Sequence, residues 1–342
     1  MKTKSLQILQ YFILLAAGVA LLWLFFKDFD FVELKQLMST GNFSWFYLVM
    51  LTSIGVYVLR VLRWQMLIKA IGKEASFGNA FSALSIGYFV NFFVPRLGEL
   101  TRCLSVKKQH DIPLLQLLGT VIIERVIDIV SLIIVLFFTL ILQFDKIIEF
   151  VNKNIFVPFY NEVIFKIISG NGKIIIVAFS ILIVSVFLFF YFRKYIQKKS
   201  PKLLLKFIQG LKEGLASVAK LQQKKLFVIY TFLIWVGYFL MTYFWFFVFK
   251  ETSVLTWGAC LTILSIGTIG RSVPIQGGGM GAYHFLVGQV VLLYGVVGIA
   301  GKTLATLIHA GQTFFTFAMG LVGLIIFFLG YWRASNTKTN PN

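Results

Sequence analysis

The chain has 342 residues, 58% of them hydrophobic and 13% charged, with a mean hydropathy of +0.86. A soluble domain averages roughly 45–50% apolar and about 25% charged residues, so a water-soluble fold and a disordered tail are both excluded. The formal charge of +19 sits on basic residues between long apolar runs, which fits cytoplasmic loops and anionic lipid head groups rather than nucleic acid.

A spanning helix needs about 20 mostly apolar residues. Six segments meet that need, near 6–26, 45–68, 114–142, 173–192, 226–249 and 303–330. The first opens with Lys2 and Lys4 like a secretory leader. Its apolar run continues through Ala16-Ala17-Gly18-Val19-Ala20 to Phe26, too long for a leader core, so a retained helix is expected. The second span and the loop after it carry Arg60, Arg63, Lys69 and Lys73. The stretch 77–105 is apolar but interrupted by Pro95 and Gly98, and it is followed by Lys107-Lys108. Span 114–142 contains Glu124, Arg125 and Asp128. The loop 143–172 mixes acids and bases, as an external loop does.

Segment 193–225 holds ten Lys or Arg and one acid, Glu213. Leu204, Ile208, Leu211, Leu215 and Val218 recur there at helical spacing, which predicts an amphipathic helix on the inner membrane surface. The stretch 255–299 is again apolar and interrupted, by Pro274 and the glycines from Gly277 to Gly281. Arg333 and Lys338 follow the last span and place the carboxyl terminus inside, beside the amino terminus.

This sidedness makes 77–105 start and finish on the cytoplasmic side, and 255–299 on the outside. The expected architecture is an all-α polytopic protein of the inner (cytoplasmic) membrane, one domain over 1–342. It has six spans, two oppositely oriented re-entrant helical hairpins and both termini inside.

The two interrupted stretches also resemble each other. Leu84-Ser85-Ile86-Gly87 precedes Val94-Pro95 and Gly98, and Leu264-Ser265-Ile266-Gly267 precedes Val273-Pro274 and Gly277. Inverted repeats with broken helices are the sequence pattern of transporters. Pro removes a backbone donor and Gly permits tight turns, so each copy predicts a helix break. Freed backbone is tolerated at membrane depth only when buried in protein or facing a watery cavity. A Pro kink with Gly packing and no substrate role is the plainer explanation.

Ionisable residues sharpen the choice. Arg96, Glu99 and Arg102 follow Pro95 at three-residue spacing, and Glu124 and Asp128 share a helical face where like charges repel. Those carboxylates need a cation, for which Arg96 or Arg102 is the candidate. Such groups inside a span usually face the bundle interior or a cavity, although a purely structural network would show the same residues. Arg271 precedes Pro274, and Gly277-Gly278-Gly279-Met280-Gly281 leads into Tyr283-His284. A Gly-rich turn at a helix start can offer N–H groups to an anion, but close helix packing also selects Gly. The turn lacks the Lys-Ser/Thr ending of a Walker loop. His309 reads as a packing histidine, and Cys103 and Cys260 as packing residues. No motif points to a metal or a cofactor.

Pro95-Arg96-Leu97-Gly98-Glu99 with Arg102, then Glu124-Arg125 and Asp128, then Pro274 with Gly278-Gly279-Met280-Gly281, resemble the membrane region of lysylphosphatidylglycerol synthases and the related flippase-like (UPF0104-like) family. The resemblance covers about 45–330. It departs at His284, where the family usually has Glu, and at Gly277, where Pro is frequent.

The resemblance implies movement of an anionic phospholipid or a polyprenyl-linked lipid between leaflets. Arg96, Arg102, Arg271, Gly278, Gly279 and Gly281 would meet the head group, while Glu99, Glu124, Arg125, Asp128 and His284 would form the charge network and couple protons. No soluble transferase domain follows the last span, so lysine transfer is not expected and the chain is read as a transporter, not an enzyme. A membrane glycosyl- or acyl-transferase and a scaffold for a separate synthase or glycosyltransferase are the alternatives. The orientation predicts that a cysteine replacing Lys198 is labelled by an impermeant maleimide only after the membrane is opened; labelling in intact cells would reverse it.

Overall fold

The computed structural model describes residues 2–27, 30–110, 112–152 and 221–339. The chain forms two compact units, 1–142 with 213–342, and 143–212. The predicted span 173–192, most of the basic segment 193–225 and most of the loop 143–172 lie outside the described residues.

The described residues are helical, without strands. The larger unit begins with α1 (Lys2–Phe26), α2 (Phe31–Thr40) and α3 (Ser44–Ala70). It continues through α4 (Phe77–Phe93), α5 (Leu97–His110) and α6 (Leu114–Leu142). In the smaller unit the described helix is α7 (Phe144–Val151). The larger unit resumes with α8 (Lys224–Trp245), α9 (Trp257–Ser272), the single turn α10 (Gln276–Gly279), α11 (Ala282–Leu293) and α12 (Gly298–Thr339).

Four helices are long and apolar enough to cross a membrane: α3, α6, α8 and residues 298–330 of α12. They match four of the six expected spans. The expected span 6–26 falls in α1, whose described apolar stretch is the shorter segment Leu15–Phe26. The outer face of α6 exposes Ile129, Ile133, Ile134, Phe137, Phe138 and Ile141, side chains that need lipid as their surroundings. Hydroxyls along the helices are satisfied locally: Ser53, Ser85, Ser131 and Thr139 each donate to the carbonyl four residues earlier. That is how a polar side chain is carried in an apolar helix without an orphan donor.

Both interrupted stretches break where Pro demands it. Helix α4 ends at Val94 (φ −128°, ψ 100°) and α9 at Val273 (φ −63°, ψ 128°), each extended because the residue before Pro is excluded from helical backbone. In each copy the following helix folds back on the first, α5 on α4 and α11 on α9. The repeated glycine explains the close return. A Cβ on Gly87 would lie 2.9 Å from the Gly98 carbonyl oxygen and 3.0 Å from Arg102 Cβ. A Cβ on Gly267, the matching position, would lie 2.8 Å from the Tyr283 ring.

The pairs pack into separate cores. One joins α3, α4, α5 and α6 around Val61, Trp64, Leu84, Cys103 and Val121. The other joins α8, α9, α11 and α12 around Trp245, Cys260, Tyr283, Val287 and Leu304. Helix α1 rests on the second break, where a Cβ on Gly18 would lie 2.6 Å from Ile275 Cγ2 and a Cβ on Gly281 would lie 2.4 Å from the Gly18 carbonyl oxygen. Helix α4 lies against α12, with Ser82 Oγ donating to the Gly323 carbonyl at 2.9 Å.

The tightest backbone approach is at Gly98, where an added Cβ would fall 1.9 Å from the Gly87 carbonyl oxygen. Gly98→Ala is expected to lower the melting temperature by an amount equivalent to at least about 1–3 kcal/mol, the usual cost of overpacking. Gly55→Ala, with nothing within 4 Å, serves as the control in the same thermal-shift assay.

Candidate functional site

Two polar assemblies lie inside the larger unit. The first is built on α6. Glu124 is fully buried and Asp128 lies one turn further along the same face. Their carboxylates are gathered by arginines from three helices. From α3, Arg60 Nη2 lies 2.7 Å from Glu124 Oε1 and 3.2 Å from Asp128 Oδ2, and Arg63 Nη2 lies 2.6 Å from Asp128 Oδ1. From α5, Arg102 Nη2 lies 2.5 Å from Glu124 Oε2. Arg125, on α6 itself and partly exposed, is 3.4 Å from Glu124 Oε1 and 3.8 Å from Asp128 Oδ2.

Four guanidinium groups therefore face two carboxylates, and the cluster keeps an excess of positive charge. Part of it is spread over aromatic faces, with Arg102 Cζ 4.1 Å from the Trp64 ring centroid and Arg60 Cζ 5.3 Å from that of Tyr88. Trp64 is fixed by its own indole N–H, which donates to Thr120 Oγ1 at 3.0 Å. Arg60 also donates to the Tyr238 hydroxyl on α8.

The prediction that Glu124 and Asp128 need a cation from the first broken pair holds for Arg102 and not for Arg96. Arg96 is exposed at the break with φ 70° and takes no part in the cluster, because the turn after Pro95 points it away from α6. Glu99 likewise pairs with no arginine among the described residues. Its Oε2 accepts from Asn91 Nδ2 at 3.1 Å, while Asn91 Oδ1 accepts from the Gly98 N–H at 2.7 Å. Asn91 and Glu99 together brace the helix break. Arg60 and Arg63 were missed as site residues because both were counted with the basic residues of the following loop. Their position three apart inside an apolar span is the same signal that singled out Glu124.

The second assembly lies where the two breaks meet. A cavity of about 170 Å³ is bounded on the α4 side by Tyr88, Asn91 and Phe92, and on the other by Arg271 and Gly278. Its remaining wall is a polar stripe on α12: His309, Gln312, Thr313 and Thr316. These fall at i, i+3, i+4 and i+7, one face of the helix. Of this stripe only His309 is singled out by the sequence, as a packing residue; the signal that marks the rest is a run of polar residues at helical spacing within an apolar span.

Arg271 packs its guanidinium 4.7 Å from the Tyr283 ring centroid. Gly277, Gly278, Gly279 and Gly281 all have positive φ, from 68° to 87°, a conformation that side-chain-bearing residues resist. Only Gly278 of the three glycines predicted to bind a head group borders the cavity. An added Cβ would meet the Gly270 carbonyl at Gly279 and the Gly18 carbonyl at Gly281, so these two glycines serve packing against α9 and α1. His284 starts α11, its Nδ1 accepting the Gly281 N–H at 3.4 Å. It is buried beside Phe25 and Phe26 of α1, and its ring centroid is 4.8 Å from that of His309. His309 faces the cavity, with Nε2 3.5 Å from the Gly278 carbonyl oxygen.

Tyr88 joins the assemblies. It lines the cavity and also lies over Arg60, and its hydroxyl has no hydrogen-bond partner among the described residues. The described residues contain no cluster of three or more His, Cys, Asp or Glu that could hold a metal.

The family described as lysylphosphatidylglycerol synthase TM region matches residues 8–320. A UPF0104 membrane protein of Methanocaldococcus jannaschii is 36% identical over 110 residues, covering 31% of this chain and 32% of the relative. The chain thus matches about a third of that relative's length. No solved structure matches the chain.

Glu124→Ala is expected to cost about 3–5 kcal/mol, because it leaves buried arginines without their counter-charge. Glu149→Ala removes an exposed charge and is expected to cost under about 1 kcal/mol. Thermal unfolding of the purified variants in detergent checks the difference, and Arg60→Ala should behave like the first while Arg96→Ala behaves like the second.

Proposed function

The chain belongs to the lysylphosphatidylglycerol synthase TM region family, and from that premise we propose that it is a multi-pass lipid transporter of the cytoplasmic membrane. It moves an anionic phospholipid or lipid-linked head group between leaflets and does not modify it. The observation that carries this reading is the cavity set between two helix breaks, with Arg271 in its wall.

Broken helices at membrane depth occur where the freed backbone is buried in protein or lines a cavity. Paired breaks around one site are the arrangement by which transporters bind a polar cargo near the midplane. In this reading α4–α5 and α9–α11 are the two oppositely directed re-entrant hairpins. An anionic head group entering between them is attracted by Arg271 and by the excess charge of the arginine cluster behind Tyr88. At roughly 4–5 Å, charges at a protein surface interact several times more strongly than in bulk solvent.

Within this mechanism the arginine cluster fixes the first hairpin to α3 and α6, while Arg271 meets the cargo. The paired imidazoles of His309, at the cavity, and His284, behind it, are the groups assigned to proton coupling. Apolar acyl chains stay on the outer faces of the helices, where Phe93, Val94 and Leu97 are exposed beside the first break.

Liposomes containing the purified protein and an anionic phospholipid with a fluorescent acyl tail test the proposal, using an impermeant quencher to read how much lipid has left the inner leaflet. Exchange above that of protein-free vesicles is expected, reduced roughly tenfold in Arg271→Ala, the effect of losing one charged hydrogen-bond donor. Exchange at the protein-free rate with folded protein would sink the transporter reading. A chemically altered lipid would make the chain a transferase.

A further inference from the structure

The glycine turn of the second break is held between two imidazoles. At one end His284 Nδ1 accepts the Gly281 N–H at 3.4 Å. At the other, His309 Nε2 on α12 lies 3.5 Å from the Gly278 carbonyl oxygen. An N–H can only donate and a carbonyl can only accept, so the two contacts fix the neutral tautomers. His284 carries its hydrogen on Nε2 and uses Nδ1 as an acceptor. His309 also carries its hydrogen on Nε2, and Nδ1 is its basic nitrogen.

A further proton acts differently on the two rings. On His284 it occupies the Nδ1 lone pair that the Gly281 N–H uses, and that end of the turn is released. On His309 it goes to Nδ1, leaving the Nε2–H contact with Gly278 in place and strengthening it, since a cationic donor bonds a carbonyl better than a neutral one. Access differs as well. His309 lines the cavity, whereas His284 is packed against Phe25 and Phe26 of α1.

The groups facing His309 decide when the proton arrives. Among the described residues these are Arg271 of α9 and Tyr88 of α4, which line the same cavity, and Tyr283 and His284 of α11, whose ring centroids are 5.2 and 4.8 Å away. None is a carboxylate. A proton on His309 therefore meets the Arg271 guanidinium with no fixed counter-charge, and the two cations repel. An anion between them replaces that repulsion with two attractions.

We propose that His309 takes up a proton as an anion enters the cavity, while His284 stays neutral as the positioning residue that holds the turn. The coupling needs only the charge of the anion; that the anion is a lipid head group rests on the transporter reading above. By linkage, the proton strengthens anion binding by the same factor as the anion strengthens proton binding.

Calorimetric titration of the purified protein in detergent with short-chain phosphatidylglycerol, whose phosphodiester does not itself titrate near neutral pH, tests the coupling. Comparing two buffers of different ionisation heat counts the protons. Wild type is expected to take up close to one proton, and to bind up to about tenfold more tightly for each pH unit lowered, the slope of a one-proton linkage. His309→Gln keeps a donor for Gly278 but has no basic nitrogen, and should bind without uptake and with a flat pH profile. His284→Gln keeps an acceptor for the Gly281 N–H and should retain the uptake. Unliganded melting temperatures establish folding, and the Asn variants replace any Gln variant that fails it. Binding without uptake in wild type, or uptake that survives in His309→Gln, overturns the inference and leaves transport standing. Uptake lost in folded His284→Gln overturns the neutral role of His284. Uptake as expected with no leaflet exchange in the liposome assay refutes transport and leaves the proton on His309. Folded protein that binds no phosphatidylglycerol at about pH 6, where a free imidazole is largely charged, overturns both.

Discussion

The fold depends on how two carboxylates on one helix are neutralised inside an apolar bundle. Glu124 and Asp128 stand one turn apart on α6 and cannot both stay charged there without help. Help comes from α3 and α5 at distances of 2.5–3.2 Å. Three helices that would otherwise slide past one another on apolar surfaces are thereby set in one register. Helix α3 is tied by two arginines, and α5, the returning half of the first broken pair, by Arg102. Through Gly87 and Gly98 the position of α5 fixes that of α4, and through Tyr88 and Asn91 that of α4 shapes the cavity. The charged cluster therefore acts on the site through packing as well as through its field. Part of its positive charge lies against the Trp64 and Tyr88 faces.

The second half solves the same geometric problem with different chemistry. Where the first break is braced by Asn91 and Glu99, the second is braced by glycines with positive φ and by the His284 cap. The matching glycines Gly87 and Gly267 do one job in both copies, admitting the returning helix. The charges are not repeated among the described residues, where no acid of the second half takes the place of Glu124. Two stretches that share the break but not the polar lining leave a cavity whose walls are chemically unlike each other.

Much of this was legible from residues alone. The four spanning helices at 45–68, 114–142, 226–249 and 303–330 follow from apolar length, and both breaks follow from Pro and from the backbone restriction on the residue before it. The pairing of Arg102 with Glu124 followed from the cost of a lone charge in a span. What escaped did so for definite reasons. Arg60 and Arg63 look like flank charges when counted along the chain, and only the approach of α6 turns them inward. Arg96 shares the spacing of Glu99 and Arg102, but the left-handed turn after Pro95 sends it elsewhere. Gly279 and Gly281 resemble anion-binding glycines locally, and the helices that cover them come from distant parts of the chain. Local pattern reports what a segment prefers; which neighbour occupies its free face is a property of the assembled bundle.

Helix α1 seats against the second break, with Gly18 facing Ile275 and Gly281 and Phe25 facing Gly288. The berth of α1 therefore lies among residues far along the chain. Until α9 to α11 are in the membrane, the small-residue face of α1 lacks that partner, and their arrival lets α1 close over the turn. A truncation that spares every residue of the cavity but shortens α1 would leave that turn without its lid, and the loss would be felt at the other end of the sequence.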